Sequence, residues 1–145
     1  MRRVMKKAAL WATALLSAGA VCRAEDLADA KRQAKARQVA AAWFDSLMRG
    51  DTAVTTALSD VPFAMDRKQT IESIVELEKI LESVVEKKGK RNIKPTAIKV
   101  AADEKGIQKN AFPADYIIVH LVIDDDNVAI CVRPGDTFRV VGLSD

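Results

Sequence analysis

The residues best suited to nucleophilic chemistry here are the single histidine and the two cysteines. His120 and Cys131 lie in neighbouring β-rich runs. If Asp125 and Asp126 form a two-residue loop, Ile123 opposes Val128, Leu121 opposes Ile130 and Val119 opposes Val132. His120 then stands directly across from Cys131. An imidazole beside a thiol can support a nucleophile. Such a pair also needs an orienting group and an oxyanion site, and the sequence names neither. The expectation is a half-buried pair in an interface, and no residue is assigned a catalytic role.

Other chemical groupings resolve the same way. Asp124-Asp125-Asp126 lacks the alternating spacing and distal glutamate of a calcium loop. Asp and Asn favour tight turns through local hydrogen bonds, so this run reads as a turn. Lys87, Lys88, Lys90, Arg91 and Lys94 gather around Gly89. They suit an anion or acidic-lipid patch, but cations at a helix C-terminus followed by a solvated loop explain them more simply. No aromatic residues interleave with them, so a stacking nucleic-acid site is not expected. No paired-cysteine motif suggests a metal, and no cofactor is implied.

These residues must be positioned by helices and a sheet. Residues 25–49 read as one helix, charged and alanine-rich in front, with Val39, Trp43 and Leu47 at every fourth position behind. Gly50 suits its C-cap and Asp51 caps a short helix to Leu58, with Pro62 as the break. Phe63, Met65 and Ile71 read as two extended arms around Asp66-Arg67-Lys68. Ser73 and Glu76 form a capping box for a helix to about Lys88. Its buried stripe is Ile74, Leu77, Leu81 and Val84, widened by Ile80 and Val85. Pro95–Ala101 is a strand followed by a turn at Asp103-Glu104-Lys105-Gly106, and Phe112-Pro113 is irregular.

The stretch 115–143 reads as a three-stranded meander with turns at Asp124–Asn127 and Arg133–Asp136. One face holds Ile117, Val119, Leu121, Ile123, Val128, Ile130 and Val132. A three-residue loop at Pro134-Gly135-Asp136 adds Phe138 and Val140. The opposite face holds Tyr116, Ile118, His120, Val122, Ala129, Cys131, Arg133, Arg139, Val141 and Leu143. That mixture suits an oligomer interface or a shallow site.

The chain has 145 residues and a formal charge of +3, which suits one domain. Arg2, Arg3, Lys6, Lys7 and Arg23 precede any acidic residue. Without residues 1–24, 18 basic residues face 20 acidic ones, so the basicity belongs to the leader. Met1–Lys7 is a basic start and Ala8–Ala20 an apolar run too short for a membrane span. Small residues follow at two cleavage sites, after Ala20 and after Ala24. The pattern predicts an exported chain, periplasmic or secreted, cut after Ala24. The earlier cut keeps Cys22 and makes a Cys22–Cys131 disulfide available. Val21 before Cys22 departs from a lipid-attachment signal.

The order of elements carries a resemblance. A long helix with Phe44 and Leu47 runs into Gly50-Asp51, followed by a short helix, Pro62-Phe63, another helix and a closing VAICVRPGDTFRVVGL. This is similar to the nuclear transport factor 2-like superfamily, cystatin-like α+β cones, and to its small exported bacterial members, over residues 36–143. The resemblance implies helices packed on the concave face of a curved antiparallel sheet, with a cavity between them and often a dimer through the outer face. With the leader read from its own residues, the division is 1–24 as signal peptide, 25–35 as a charged helical extension and 36–145 as one domain. The expected cavity mouth is Trp43, Phe63 and Phe112, and its ligand is an apolar small molecule. The expected homodimer face is Tyr116, His120, Cys131, Arg133 and Arg139. Ketosteroid-isomerase-like members use a carboxylate base and a tyrosine donor in the cone. Tyr116 falls on the outer face here, so no catalytic residue is carried over. Asp45 and Asp66, from the helical side, are the candidates for such an isomerase or hydrolase. The charged helix Asp26–Gln38 is the contact surface if the chain instead acts by binding a protein partner.

Overall fold

A computed structural model describes residues 27–66, 69–90, 93–101, 116–124 and 126–144. Residues 1–26 with the expected leader and Cys22, Arg67 and Lys68, Arg91, the expected turn at Asp103–Gly106, Phe112-Pro113 and Asp125 lie outside the described residues. The chain divides into two compact units, Met1–Arg32 and Gln33–Asp145. In the first, the described residues 27–32 are helical, and Leu27 is exposed. The second unit carries the sheet.

Helix α1 (27–48) buries Val39, Trp43, Phe44 and Leu47, the stripe expected from four-residue spacing. It stops at Gly50, whose φ of +79° is cheap only without a Cβ. The Asp51 N–H then donates to the Ser46 carbonyl at 2.8 Å. Asp51 caps α2 (Thr52–Ala57) by accepting from the Val54 N–H. Helix α2 closes at Leu58, before Pro62 is reached, so the proline does not end it. Pro62 instead lies in strand β1 (Ser59–Met65) after a cis peptide bond. β1 pairs antiparallel with β2 (Gln69–Ile71) around the expected turn. Ser73 caps α3 (Ile74–Lys88) as the capping box predicts, accepting from the Glu76 N–H. Leu77 and Leu81 are fully buried, whereas Ile74, expected in the same stripe, is exposed in the first turn of α3 beside the exposed Val75.

Strands β3 (Ala97–Ala101), β4 (Ile117–Ile123), β5 (Asp126–Arg133) and β6 (Arg139–Ser144) complete a six-stranded sheet of order β2-β1-β6-β5-β4-β3. The expected α+β class holds, with helices packed on one sheet face. One pairing departs from an all-antiparallel sheet: β1 and β6 run parallel. The final strand enters between β1 and β5, and its direction is set by its hairpin with β5.

Two registers differ from expectation. Ile123 pairs with Asp126 instead of Val128, a two-residue shift of partner that moves the β4–β5 loop one residue earlier, with Asp124 at φ +52°. A two-residue shift keeps every side chain on its expected face, because strand alternation has period two. It does change the neighbours: His120 pairs with Ala129, and Cys131 pairs with Ile118. The expected His120–Cys131 opposition is therefore replaced. The second turn is longer than three residues, since Arg133 pairs with Arg139. Beyond it, Val132 pairs with Val140 while Cys131 pairs with Gly142, so Val141 is an extra residue on β6. This bulge moves Leu143, expected on the outer face, to the helix-covered face, where it packs on the core.

The helix-covered face joins Val119, Leu121, Ile130, Val132 and Val140 to Trp43, Phe63, Leu77 and Leu81. On the outer face, Cys131 and Val141 pack with Tyr116 and Ile118. A buried polar chain fixes the α1–α2–β1 corner. Trp43 Nε1 donates to Ser59 Oγ at 2.7 Å, and Ser59 Oγ donates to the Thr55 carbonyl at 2.7 Å. Ser46 Oγ lies 2.7 Å from Thr55 Oγ1 and donates to the Trp43 carbonyl at 2.8 Å. Buried hydroxyls and an indole N–H are stable in such a corner only when partnered. No described buried side-chain polar atom lacks a partner.

Candidate functional site

A pocket of about 220 Å³ opens at one end of the sheet in the second unit. Three segments build it, each through its own periodicity. Helix α1 supplies Phe44, Leu47 and Met48, an i, i+3, i+4 set on one helix face. Helix α3 supplies Val84, Lys87 and Lys88 at the same spacing. The strands supply Met65, Val128 and Leu143 as a floor, with Met65 and Leu143 directly paired across β1 and β6. The lining is apolar except at Asp66, Lys87 and Lys88, all three exposed. Two methionines in the wall give it soft, adaptable side chains.

Asp66 follows β1 with φ +52°, and its N–H donates to the Leu143 carbonyl at 2.8 Å. This bond ties Asp66 at the rim to Leu143 in the floor. Lys87 and Lys88 sit in the last turn of α3, where cations complement the C-terminal carbonyls. Gly89 closes the helix by donating to the Val85 carbonyl at 2.8 Å.

The expected mouth is not at this pocket. Trp43 and Phe63 are fully buried and stack with ring centroids 6.0 Å apart. The Trp43 N–H is consumed by Ser59, which draws the indole into the core. Phe112 lies outside the described residues. Of the two candidate carboxylates, Asp66 lines the pocket. Asp45 is instead paired with Arg49 at 3.1 Å on an exposed helix face. Met48, Met65, Val84, Val128 and Leu143 were not singled out as a site from sequence. The only available signal was the paired i, i+3, i+4 spacing on α1 and α3.

The outer-face residues make a separate arrangement. Arg133 pairs with Asp60, and Arg139 donates to the Ala57 carbonyl at the end of α2. Two cross-strand cations are thus each given an acceptor, which offsets their mutual repulsion. The Asp60 carboxyl is held below its ordinary value, first by the Val61 N–H at 2.8 Å, then by Arg133, with Arg139 adding to it. Burial raises the Tyr116 hydroxyl above its ordinary value, while the charge of Arg133 pulls it back in part. Cys131 is fully buried and free, and burial pushes its thiol up to about 12. A neutral, sealed thiol is the opposite of an activated nucleophile.

Among the described residues, no cluster of three or more metal-ligating side chains occurs, and no helix is long and apolar enough to cross a membrane. No protein-family model matches the chain, and no curated protein sequence matches it. The chain is similar to a solved chain of a designed NTF2-like protein carrying five substitutions. The similarity is at 12% identity, over 69% of this chain and 86% of the other, with a TM-score of 0.37.

Proposed function

We propose that the unit Gln33–Asp145 is a non-catalytic, NTF2-like binding module that takes an apolar small molecule into the pocket between α1, α3 and the sheet. The observation that carries this reading is the pocket itself: 220 Å³ of space floored by Met65, Val128 and Leu143 and walled by Phe44, Leu47, Met48 and Val84. Concave, mostly apolar sites with a few polar groups at the rim are the usual form of small-molecule sites. The isomerase reading has Asp66 in its favour, as the one carboxylate among the described lining residues. Its tyrosine donor is missing there, since Tyr116 packs with Cys131 on the other side of the sheet.

The export of the chain belongs to the same proposal. It is supported by the basic start, the short apolar run and the small residues up to Ala24. A homodimer through the outer face is proposed on Tyr116, His120, Arg133 and Arg139. Cys131 and Val141 are already buried in the single chain and lend no exposed surface to it.

The test is calorimetric titration of the full chain with octan-1-ol, beside a Val84→Trp variant that fills the pocket. Saturable binding by the parent and at least a tenfold weaker affinity in the variant are expected. No binding by the parent, or unchanged binding by a folded variant, sinks the reading.

A further inference from the structure

We propose that the pocket selects an aliphatic carboxylate of about eight to ten carbons, its chain on the apolar floor and its headgroup at Lys87 and Lys88. This rests on the binding-module reading above and adds the charge and size of the ligand.

Size comes first. A cavity of about 150 Å³ lined by aliphatic and aromatic side chains accommodates benzene. At 220 Å³ this pocket has about half as much space again, which corresponds to roughly nine carbons. It is too small for a helix of a partner protein, whose diameter with side chains is about 10 Å.

The sign of the headgroup comes from the rim. Val84, Lys87 and Lys88 share one face of α3, so a chain lying against Val84 leads directly to the two ammonium groups. Among the described residues, no carboxylate pairs with Lys87 or Lys88, and Arg49, not either lysine, takes up Asp45. Among the described residues, both cations are therefore open to a ligand. Among the described lining residues Asp66 is the only anion, and their formal charges sum to +1. The α3 C-terminal carbonyls add a fractional negative charge, which falls off within a turn.

The opposed charges at the rim make the proposal testable from both sides. Lys87→Gln with Lys88→Gln weakens an anionic ligand, and Asp66→Asn strengthens it. Exposed pairs of this kind carry a factor of about two to five each, and salt screens them. None of these three side chains makes a described hydrogen bond or ion pair, so each substitution leaves the internal pairing of the fold intact.

The experiment titrates the full chain with octanoate, octan-1-ol and octylammonium by calorimetry at low ionic strength, all below micelle-forming concentration. Octanoate is expected to bind tightest. The double lysine variant is expected to lose about threefold to tenfold for octanoate and markedly less for octan-1-ol, so that the octanoate advantage shrinks. Asp66→Asn is expected to gain about twofold to fivefold for octanoate and to lose affinity for octylammonium. If octan-1-ol binds but octanoate shows no advantage, or the variants do not move it, the charge assignment is overturned while the pocket reading stands. If no probe binds, both fall.

Discussion

The Cys131 side chain is fully buried against Val141, Tyr116 and Ile118, and loss of hydration pushes its thiol up to about 12 from an ordinary 9.0. Burial favours the neutral form, so the sign of the stability effect follows. Below pH 9 both folded and unfolded chains keep the proton. Between 9 and 12 the unfolded chain loses it and the folded chain does not, so stability falls as pH rises. The limiting slope for one such group is about 1.4 kcal/mol per pH unit. Denaturant unfolding measured from pH 8 to 11 is expected to show this decline in the parent and a shallower one in Cys131→Ala. Equal slopes would show that the folded thiol ionises normally. The same burial predicts that a maleimide labels Cys131 only after unfolding. His120 pairs with Ala129 rather than with this thiol.

At the scale of elements, β6 is where sequence pattern and structure part company. Alternation along β4 and β5 was legible because a shift of two residues preserves each face: Val119, Leu121, Ile130 and Val132 are buried as read. The caps at Asp51 and Ser73 and the glycine end at Gly50 were legible because each is a local rule with a local partner. The face of Leu143 was not, because one extra residue, Val141, reverses the alternation, and only pairing with β1 and β5 shows it. The pocket was not legible for the same reason. Trp43 and Phe63 drew attention by residue type, yet an aromatic pair with a satisfied indole N–H belongs in the core. The bulge also sets a tight approach: a Cβ on Gly142 would stand 3.0 Å from Cys131 Cβ and 3.5 Å from the Ala64 carbonyl oxygen. Gly142→Val is expected to cost about 1–3 kcal/mol by denaturant unfolding, with Gly142→Ala closer to the parent. A valine variant as stable as the parent would mean the two strands separate there more easily than their pairing indicates.

For the whole molecule, charge and compartment are linked. With cleavage after Ala24, the mature chain starts at Glu25 and carries 18 basic against 20 acidic residues. Protein recovered from its native compartment is expected to show the intact mass of a chain beginning at Glu25 and to sediment as a dimer. A retained leader overturns the export proposal, and a monomer at micromolar concentration overturns the outer-face homodimer.

The place of β6 has a consequence in time. It lies between β1 and β5, yet it is made after both. Until residues 139–144 emerge, the β1–β2 hairpin and the β3–β4–β5 meander are two separate pieces, each with an open edge. Neither can close the floor formed by Met65, Val128 and Leu143. Joining of the two pieces into one sheet therefore waits until residues 139–144 have been made, whatever else of the sheet has paired before them.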